Sequence, residues 1–373
     1  MRFVALSITA IRAGFVNWLF KKKERFMIVG EGMYRYRVVE GWGKLPEGWN
    51  FTETEVVLPP ELAYAGDFTG VYALAVDSED RVHVSNHGVH PVIIFDRDGN
   101  FQASWGEGLF SISPHGLLVG ADSSVYCVNM EHHNIQKFTS EGNLLFTRGD
   151  KDQPSDTGYV NSDEWDYRTI KRSGPPFRNP TDLAVTPTGE MYVTDGYGNA
   201  RVHKFSADGT LLFSWGEPGS GPGEFNVPHG IVLDSEGRVY VADCENNRIQ
   251  IFSPDGDFIT EWTGVTHPLG LAIDREDILY VAEWGYRYGL KPDMPPPSAE
   301  SPQPGVSIWS STGELLTRWG GEDTLAPGNF CLPHAIGVDS RGDIYVGDFP
   351  HVPSDKDMLP PDYNTLQKFA RVV

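Results

Sequence analysis

The sequence predicts an all-β fold, a six-bladed β-propeller whose ring is closed by a strand from the N-terminal end. Three observations carry this. A four-strand unit recurs six times. The fourth strand of a unit usually ends in an aromatic-glycine step. The sixth unit lacks that ending, and the missing piece stands near the start of the chain.

One unit shows the pattern in full. Pro228-His229-Gly230-Ile231-Val232-Leu233-Asp234 is followed by the turn Ser235-Glu236-Gly237 and by Arg238-Val239-Tyr240-Val241-Ala242-Asp243. Asn247-Arg248-Ile249-Gln250-Ile251-Phe252, the turn Pro254-Asp255-Gly256 and Phe258-Ile259-Thr260-Glu261-Trp262 complete it. Short β-branched and aromatic runs bounded by such turns read as strands joined by hairpins. The first strand recurs at 73–77, 116–120, 183–186, 231–234, 271–274 and 336–339. The endings are Trp105-Gly106, Arg148-Gly149, Trp215-Gly216, Trp262 and Trp319-Gly320. The sixth unit stops after its third strand, 366–372, and the sixth ending lies at 34–43, through Trp42-Gly43. Ring closure explains that displacement, because it pairs an edge that would otherwise stand open. A linear β-solenoid would have no need of it. The expected organisation is an N-terminal extension, 1–26, and a propeller, 27–373.

The chain has 373 residues and a formal charge of -21, which argues against nucleic acid and anionic membrane surfaces as partners. The 41 glycines and 27 prolines recur at regular intervals and mark turns rather than disorder. Cys127, Cys244 and Cys331 form no C-x-x-C pair, and an odd count without a framework fits a reducing, cytoplasmic compartment. The apolar run 3–20 is broken by Arg12 and followed by Lys21-Lys22-Lys23-Glu24-Arg25. It reads as a weak membrane anchor, a poor signal or an extension without structural role, the last being preferred. A monomer is expected. Insertions at 151–176, 286–303 and 351–363 read as covers for a site or as surface decoration.

One position around the ring carries chemistry. The residue after proline at the start of the first strand is His115, His229 and His334 in units two, four and six. Units one, three and five place Tyr72, Thr181 and Leu269 there. First strands line a propeller's channel, so three imidazoles on alternate blades converge. Three neutral nitrogens with an open position suit a catalytic Zn²⁺, and the same donors suit Fe²⁺ or another divalent metal. The competing reading is three unrelated histidines hydrated by channel water. A second ring follows the second strands: Asn86-His87, Asn129-Met130, Asp195-Gly196-Tyr197, Asp243-Cys244, Glu283-Trp284 and Asp348-Phe349. Its acidic and amide members are expected to tie down turns. Tyr197, between two glycines, reads either as a base or as an aromatic lid. His87 joins it as a catalytic candidate, with Asn86, Met130, Cys244, Trp284 and Arg201 as substrate-binding candidates.

The stretch from Asn179-Pro180-Thr181-Asp182 through Asp195-Gly196-Tyr197-Gly198-Asn199-Ala200-Arg201 to Val227-Pro228-His229, with the other two Pro-His motifs, resembles the peptidyl-α-hydroxyglycine α-amidating lyases among the NHL-repeat propellers. The resemblance spans about 65–373. It implies cleavage of a carbinolamide to an amide and glyoxylate, zinc on His115, His229 and His334, and catalysis by Tyr197. It also marks departures. The family has arginines where this chain has His87 and Cys244, a methionine at Leu332, and an acidic residue for calcium at Ala335, which argues against Ca²⁺ here. Its disulfide cysteines are absent, Gly198 replacing one. The expected substrate is therefore a small molecule or peptide C-terminus with a carbinolamide or related C–N bond. Arg168, Arg172 and Arg178 are candidates to replace the lost cations. A non-catalytic propeller binding a ligand or protein is the alternative. A lactonase-type hydrolase is disfavoured because such sites hold calcium with carboxylates and an amide.

Overall fold

The computed structural model describes residues 26–51, 70–86, 89–110, 114–160, 167–286, 301–349, 363 and 365–372. Blade 1 is β3 (Val71–Val76), β4 (Val82–Asn86), β5 (Val92–Phe95) and β6 (Phe101–Trp105). Blade 2 is β7 (Gly116–Val119), β8 (Val125–Asn129), β9 (Asn134–Phe138) and β10 (Leu144–Arg148). Blade 3 is β11 (Pro180–Val185), β12 (Met191–Asp195), β13 (Arg201–Phe205) and β14 (Leu211–Trp215). Blade 4 is β15 (Pro228–Leu233), β16 (Val239–Asp243), β17 (Arg248–Phe252) and β18 (Phe258–Thr263). Blade 5 is β19 (Pro268–Ile273), β20 (Leu279–Glu283), β21 (Gly305–Trp309) and β22 (Leu315–Gly320).

Blade 6 joins both ends of the chain. Its order is β1 (Ile28–Glu31), β2 (Tyr34–Val39), β25 (Leu366–Arg371), β24 (Ile344–Asp348) and β23 (Pro333–Val338). The expected closing strand is β2, antiparallel to β25 in the register Tyr36↔Arg371 to Val39↔Lys368. The sequence reading missed β1, a fifth strand that covers the outer edge of β2. No helix among the described residues is long and apolar enough to cross a membrane; residues 1–25 lie outside the described part.

Burial follows position in the blade. All five residues of β16, Val-Tyr-Val-Ala-Asp, are buried, because a second strand has a neighbouring blade on each face. β18 at the rim is mostly exposed. The turns use one device repeatedly. In blade 4 the Asp234 carboxylate accepts the N–H groups of Glu236 at 3.0 Å and Arg238 at 2.8 Å, which folds the chain back into the hairpin.

The aromatic endings fill the seams between blades. Trp215 packs against Phe252 of blade 4, and Trp262 against Trp309 of blade 5. Trp105 meets Phe138 of blade 2, and Trp319 meets Phe369 of blade 6. Trp42, just past β2, reaches Phe95 of blade 1 at 5.6 Å and so closes the last seam. The indole lies over the glycine of the next blade's outer hairpin, where a β-carbon would crowd the ring: Gly99 under Trp42, Gly142 under Trp105, Gly256 under Trp215 and Gly313 under Trp262. Blade 2 uses Arg148 instead, whose guanidinium donates to the carbonyl of Gly209 at 2.9 Å. The three cysteines form no disulfide and are buried.

Candidate metal centre and channel mouth

The site begins with the acids that end the second strands. Asp195, Asp243, Glu283 and Asp348 each accept the backbone N–H of the residue two before the proline that opens the first strand of the same blade: Arg178 at 2.9 Å, Asn226 at 2.8 Å, Thr266 at 2.7 Å and Cys331 at 2.8 Å. They tie down turns, as expected. Each clamp fixes where its first strand starts, and therefore where the residue after the proline enters the channel. The chain after the acid bonds back to the residue just before that proline, Cys244 to Val227, Trp284 to His267 and Phe349 to Leu332. Tyr197 bonds to Asn179 in the same way at 3.3 Å, but one residue later, because Gly196 is inserted in blade 3.

His115, His229 and His334 are buried and bring one ligating nitrogen each within 4.8 Å of the other two. Their ring centroids form a near-equilateral triangle with sides of 5.1, 4.9 and 4.8 Å. No other such group of His, Cys, Asp and Glu occurs among the described residues. Each Nδ1 meets a backbone carbonyl: His115 that of Thr181 at 2.8 Å, His229 that of Leu269 at 3.2 Å, and His334 that of Tyr72 at 2.6 Å. A carbonyl only accepts, so Nδ1 carries the proton and Nε2 keeps its lone pair for the centre. The three odd blades, which have no histidine at this position, thus orient the histidines of the even ones.

Burial, with His334 and His115 adding, holds His229 well below the usual imidazole value, and burial pushes His334 down to about 4. Both are neutral at pH 7, the form that ligates. Neutral Nε2 atoms with Nδ1 pinned are the donor set a divalent ion requires, so the residues fit the metal the sequence suggested.

The Tyr197 hydroxyl lies 2.9 Å from His229 Nε2 and 3.2 Å from His115 Nε2. Its ring has close neighbours, although a glycine on either side in the sequence suggests an uncrowded one. It packs edge-on to His115 and His229 and stacks on Tyr167 at 6.0 Å. The glycines make room for backbone and for Arg178, not for the ring. Burial raises the Tyr197 phenol, with Cys244, Glu245 and Tyr159 adding. An apolar cluster surrounds it: Tyr72, Val227, Leu269, Leu332, Cys244 and Phe349, with Tyr167 and Trp284 packed against them.

The structure therefore gathers His115, His229, His334, Tyr197, Cys244 and Trp284. Asn86 donates its amide to the carbonyl of His90 at 2.9 Å. The Met130 carbonyl accepts from Asn179 at 3.4 Å, and Arg201 reaches Glu217 at 3.8 Å. His87 lies outside the described residues. Arg178 donates to the carbonyls of Ser155 and Tyr159, and Arg172 pairs with Asp156. Tyr167, from the first insertion, was not singled out from sequence, and no periodic signal marks it. Behind the histidines the channel opens into a cavity of about 280 Å³ lined by first strands, in which Asp182 supplies the one carboxylate.

Comparison with known proteins places these features in context. The NHL repeat matches residues 177–205 and 225–252. NHL repeat-containing protein 3 of Homo sapiens is 32% identical over 327 residues, covering 84% of this chain and 81% of that protein. Peptidylglycine alpha-amidating monooxygenase of Rattus norvegicus is 27% identical over 344 residues, 82% of this chain but 32% of that protein. Peptidyl-alpha-hydroxyglycine alpha-amidating lyase 1 of Drosophila melanogaster is 33% identical over 177 residues, 44% of this chain and 29% of that protein. The chain thus spans about a third of the length of these two enzymes. A gluconolactonase from Xanthomonas campestris superposes with a TM-score of 0.52 at 15% identity, over 89% of this chain and 99% of that one, a likeness of fold alone.

Proposed function

Because this chain belongs to the NHL-repeat six-bladed propellers and is homologous to the peptidyl-α-hydroxyglycine amidating lyases, we propose that it is a metal-dependent lyase that breaks the C–N bond of a carbinolamide-type substrate. The observation that carries the reading is the convergence of three buried imidazoles with the Tyr197 hydroxyl.

A divalent ion, zinc in this reading, held by His115, His229 and His334 would supply positive charge that polarises a substrate oxygen and favours the phenolate of Tyr197. Tyr197 stands where a substrate hydroxyl has to release its proton. It takes that proton, the carbonyl double bond forms as the C–N bond breaks, and the nitrogen leaves with the bond's electron pair and gains a proton. The products are an amide and an aldehyde, glyoxylate where the carbon bears a carboxylate. No outside oxidant or reductant is required. The cluster of Tyr72, Leu269 and Phe349 keeps bulk water from the reacting atoms.

Elemental mass spectrometry of the purified chain tests the metal. We expect about one zinc per chain, lost in His229→Ala while the fold persists. Tyr197→Phe should keep the metal and lower amide release by roughly 10²- to 10⁴-fold, the usual range for a lost proton-transfer group. A metal-free wild type after reconstitution, or an active Tyr197→Phe variant, rejects the reading.

A further inference from the structure

The two sides of the three histidines differ. On the mouth side the Tyr197 hydroxyl lies against the Nε2 atoms of His229 and His115, and the Phe349 ring stands 5.8 Å from that of His334. On the far side the cavity of about 280 Å³ starts at the histidines and follows the first strands to Val76, Ile273 and Val338, the last residues of β3, β19 and β23. From His334 to Val338 this is a path of about 13 Å at the usual strand rise. The same three residues line a second cavity, of about 750 Å³, walled by turns of blades 1, 5 and 6. They form the waist between an inner chamber, roomy enough for several waters, and an outer vestibule.

The inner chamber has one carboxylate in its wall. The position after the ring residue holds Ala73, Gly116, Gly230, Gly270 and Ala335 in five blades and Asp182 in blade 3. A β-carbon on Gly116, the neighbour of His115, would stand 2.9 Å from Asp182 Oδ1, so the carboxylate borders the ring of histidines. Its other oxygen accepts the N–H of Ile231 at 3.3 Å, and no lysine or arginine among the described residues pairs with it. A buried carboxylate without a partner cation is costly, and a passing cation relieves that cost. The vestibule carries both signs: Arg81 and Arg97 hold Asp77 and Asp339, and Arg275, Arg341 and Arg371 also line it. Preference for a cation therefore falls to Asp182, helped by a formal charge of -21 that draws cations to the chain as a whole.

We infer that the divalent ion of the metal centre loads from the rear, through the vestibule, past the waist of Val76, Ile273 and Val338, and over the carboxylate of Asp182 to the three histidines. The inference rests on the metal reading for the cargo, and on the two cavities alone for the route. A buried set of imidazoles needs a path by which the ion arrives. Narrowing a path slows arrival and departure by the same factor and leaves affinity unchanged. That separates the waist from residues that shape the site, which change affinity.

The test follows Co²⁺ uptake by the metal-free full chain through the visible absorption of the bound ion, and its release to excess chelator. Val338→Trp should slow both at least about tenfold and leave the dissociation constant within about twofold of wild type. Ile273→Trp, on another blade, gives the same reading if Val338→Trp does not fold. Asp182→Asn keeps the shape and removes the charge, and should slow uptake about tenfold, the lower end of electrostatic guidance. Unchanged rates in a folded waist variant overturn the route, and unchanged uptake in Asp182→Asn overturns the part given to that carboxylate. Faster uptake in Leu332→Ala, with the waist variants at the wild-type rate, places arrival on the mouth side and the inference falls. A metal-independent readout covers a chain that takes up no ion. Diethyl pyrocarbonate acylates neutral imidazoles, and peptide mass mapping locates the modified residues. Labelling of His115, His229 and His334 should slow at least about tenfold in the waist variants, with His132 at the surface labelled as before. That result without metal uptake upholds the route and rejects the metal reading, whereas labelling indifferent to the waist overturns the route.

Discussion

A β-carbon on Gly196 would stand 2.0 Å from the carbonyl oxygen of Pro228, so only glycine lets the extra residue of blade 3 pass that carbonyl. The consequence appears one residue later, where the Tyr197 hydroxyl reaches two Nε2 atoms. Gly196→Ala should therefore shift the phenol while leaving the rest of the ring folded. The expected result is retention of metal by elemental analysis with amide release reduced at least about tenfold, approaching Tyr197→Phe. Asp182 offers a separate test at this scale. Burial pushes its carboxyl up to about 7, opposed by the N–H groups of Leu183 and Ile231. Its folded value lies above its unfolded one, so it costs nothing in acid and destabilises increasingly as pH rises from about 4 to about 7. Asp182→Asn keeps an acceptor for the backbone and removes the charge. It should stabilise the protein by about 1–2 kcal/mol at pH 8 and by little at pH 4, read from denaturant melts.

Among the elements, the endings of the outer strands hold neighbouring blades together. Trp215 fills the seam between blades 3 and 4 among Tyr192, Phe225 and Phe252. Trp215→Ala should cost about 3–5 kcal/mol by leaving a cavity between sheets that cannot collapse onto each other. The repeat made these endings legible, and with them the blade count, the closing strand and the three histidines. What repetition did not carry stayed hidden. The carbonyls of Tyr72, Thr181 and Leu269 orient the histidines, yet a backbone oxygen leaves no mark on residue identity. Tyr167 comes from an insertion, where periodicity says nothing about docking. β1 is four residues long and ends at Glu31, too short to stand out beside β2. The family departure at Cys244 could be read from sequence, but its place in an apolar cluster with Tyr197 required the fold.

At the scale of the molecule, blade 6 decides whether the ring exists. β2 supplies one edge of β25 and Trp42 fills the seam with blade 1. Removing residues 1–25 should leave the melting temperature unchanged, since β1 and β2 remain. Removing 1–42 opens β25, exposes Phe95 and Tyr345, and should abolish a cooperative thermal transition or yield aggregate, measured by calorimetry and light scattering.

The same blade sets a timetable for the newborn chain. β2 leaves the ribosome before any complete blade, and its partner β25 leaves only after all the other blades have been made. During translation, for tens of seconds at usual rates, the growing arc has two unpaired ends. Blades 1 to 5 can form in order as they appear, each leaning on the one before. The last step is a long-range capture of a strand made at the outset. A pause or a chaperone acting late in synthesis would therefore change the yield of native protein more than one acting early.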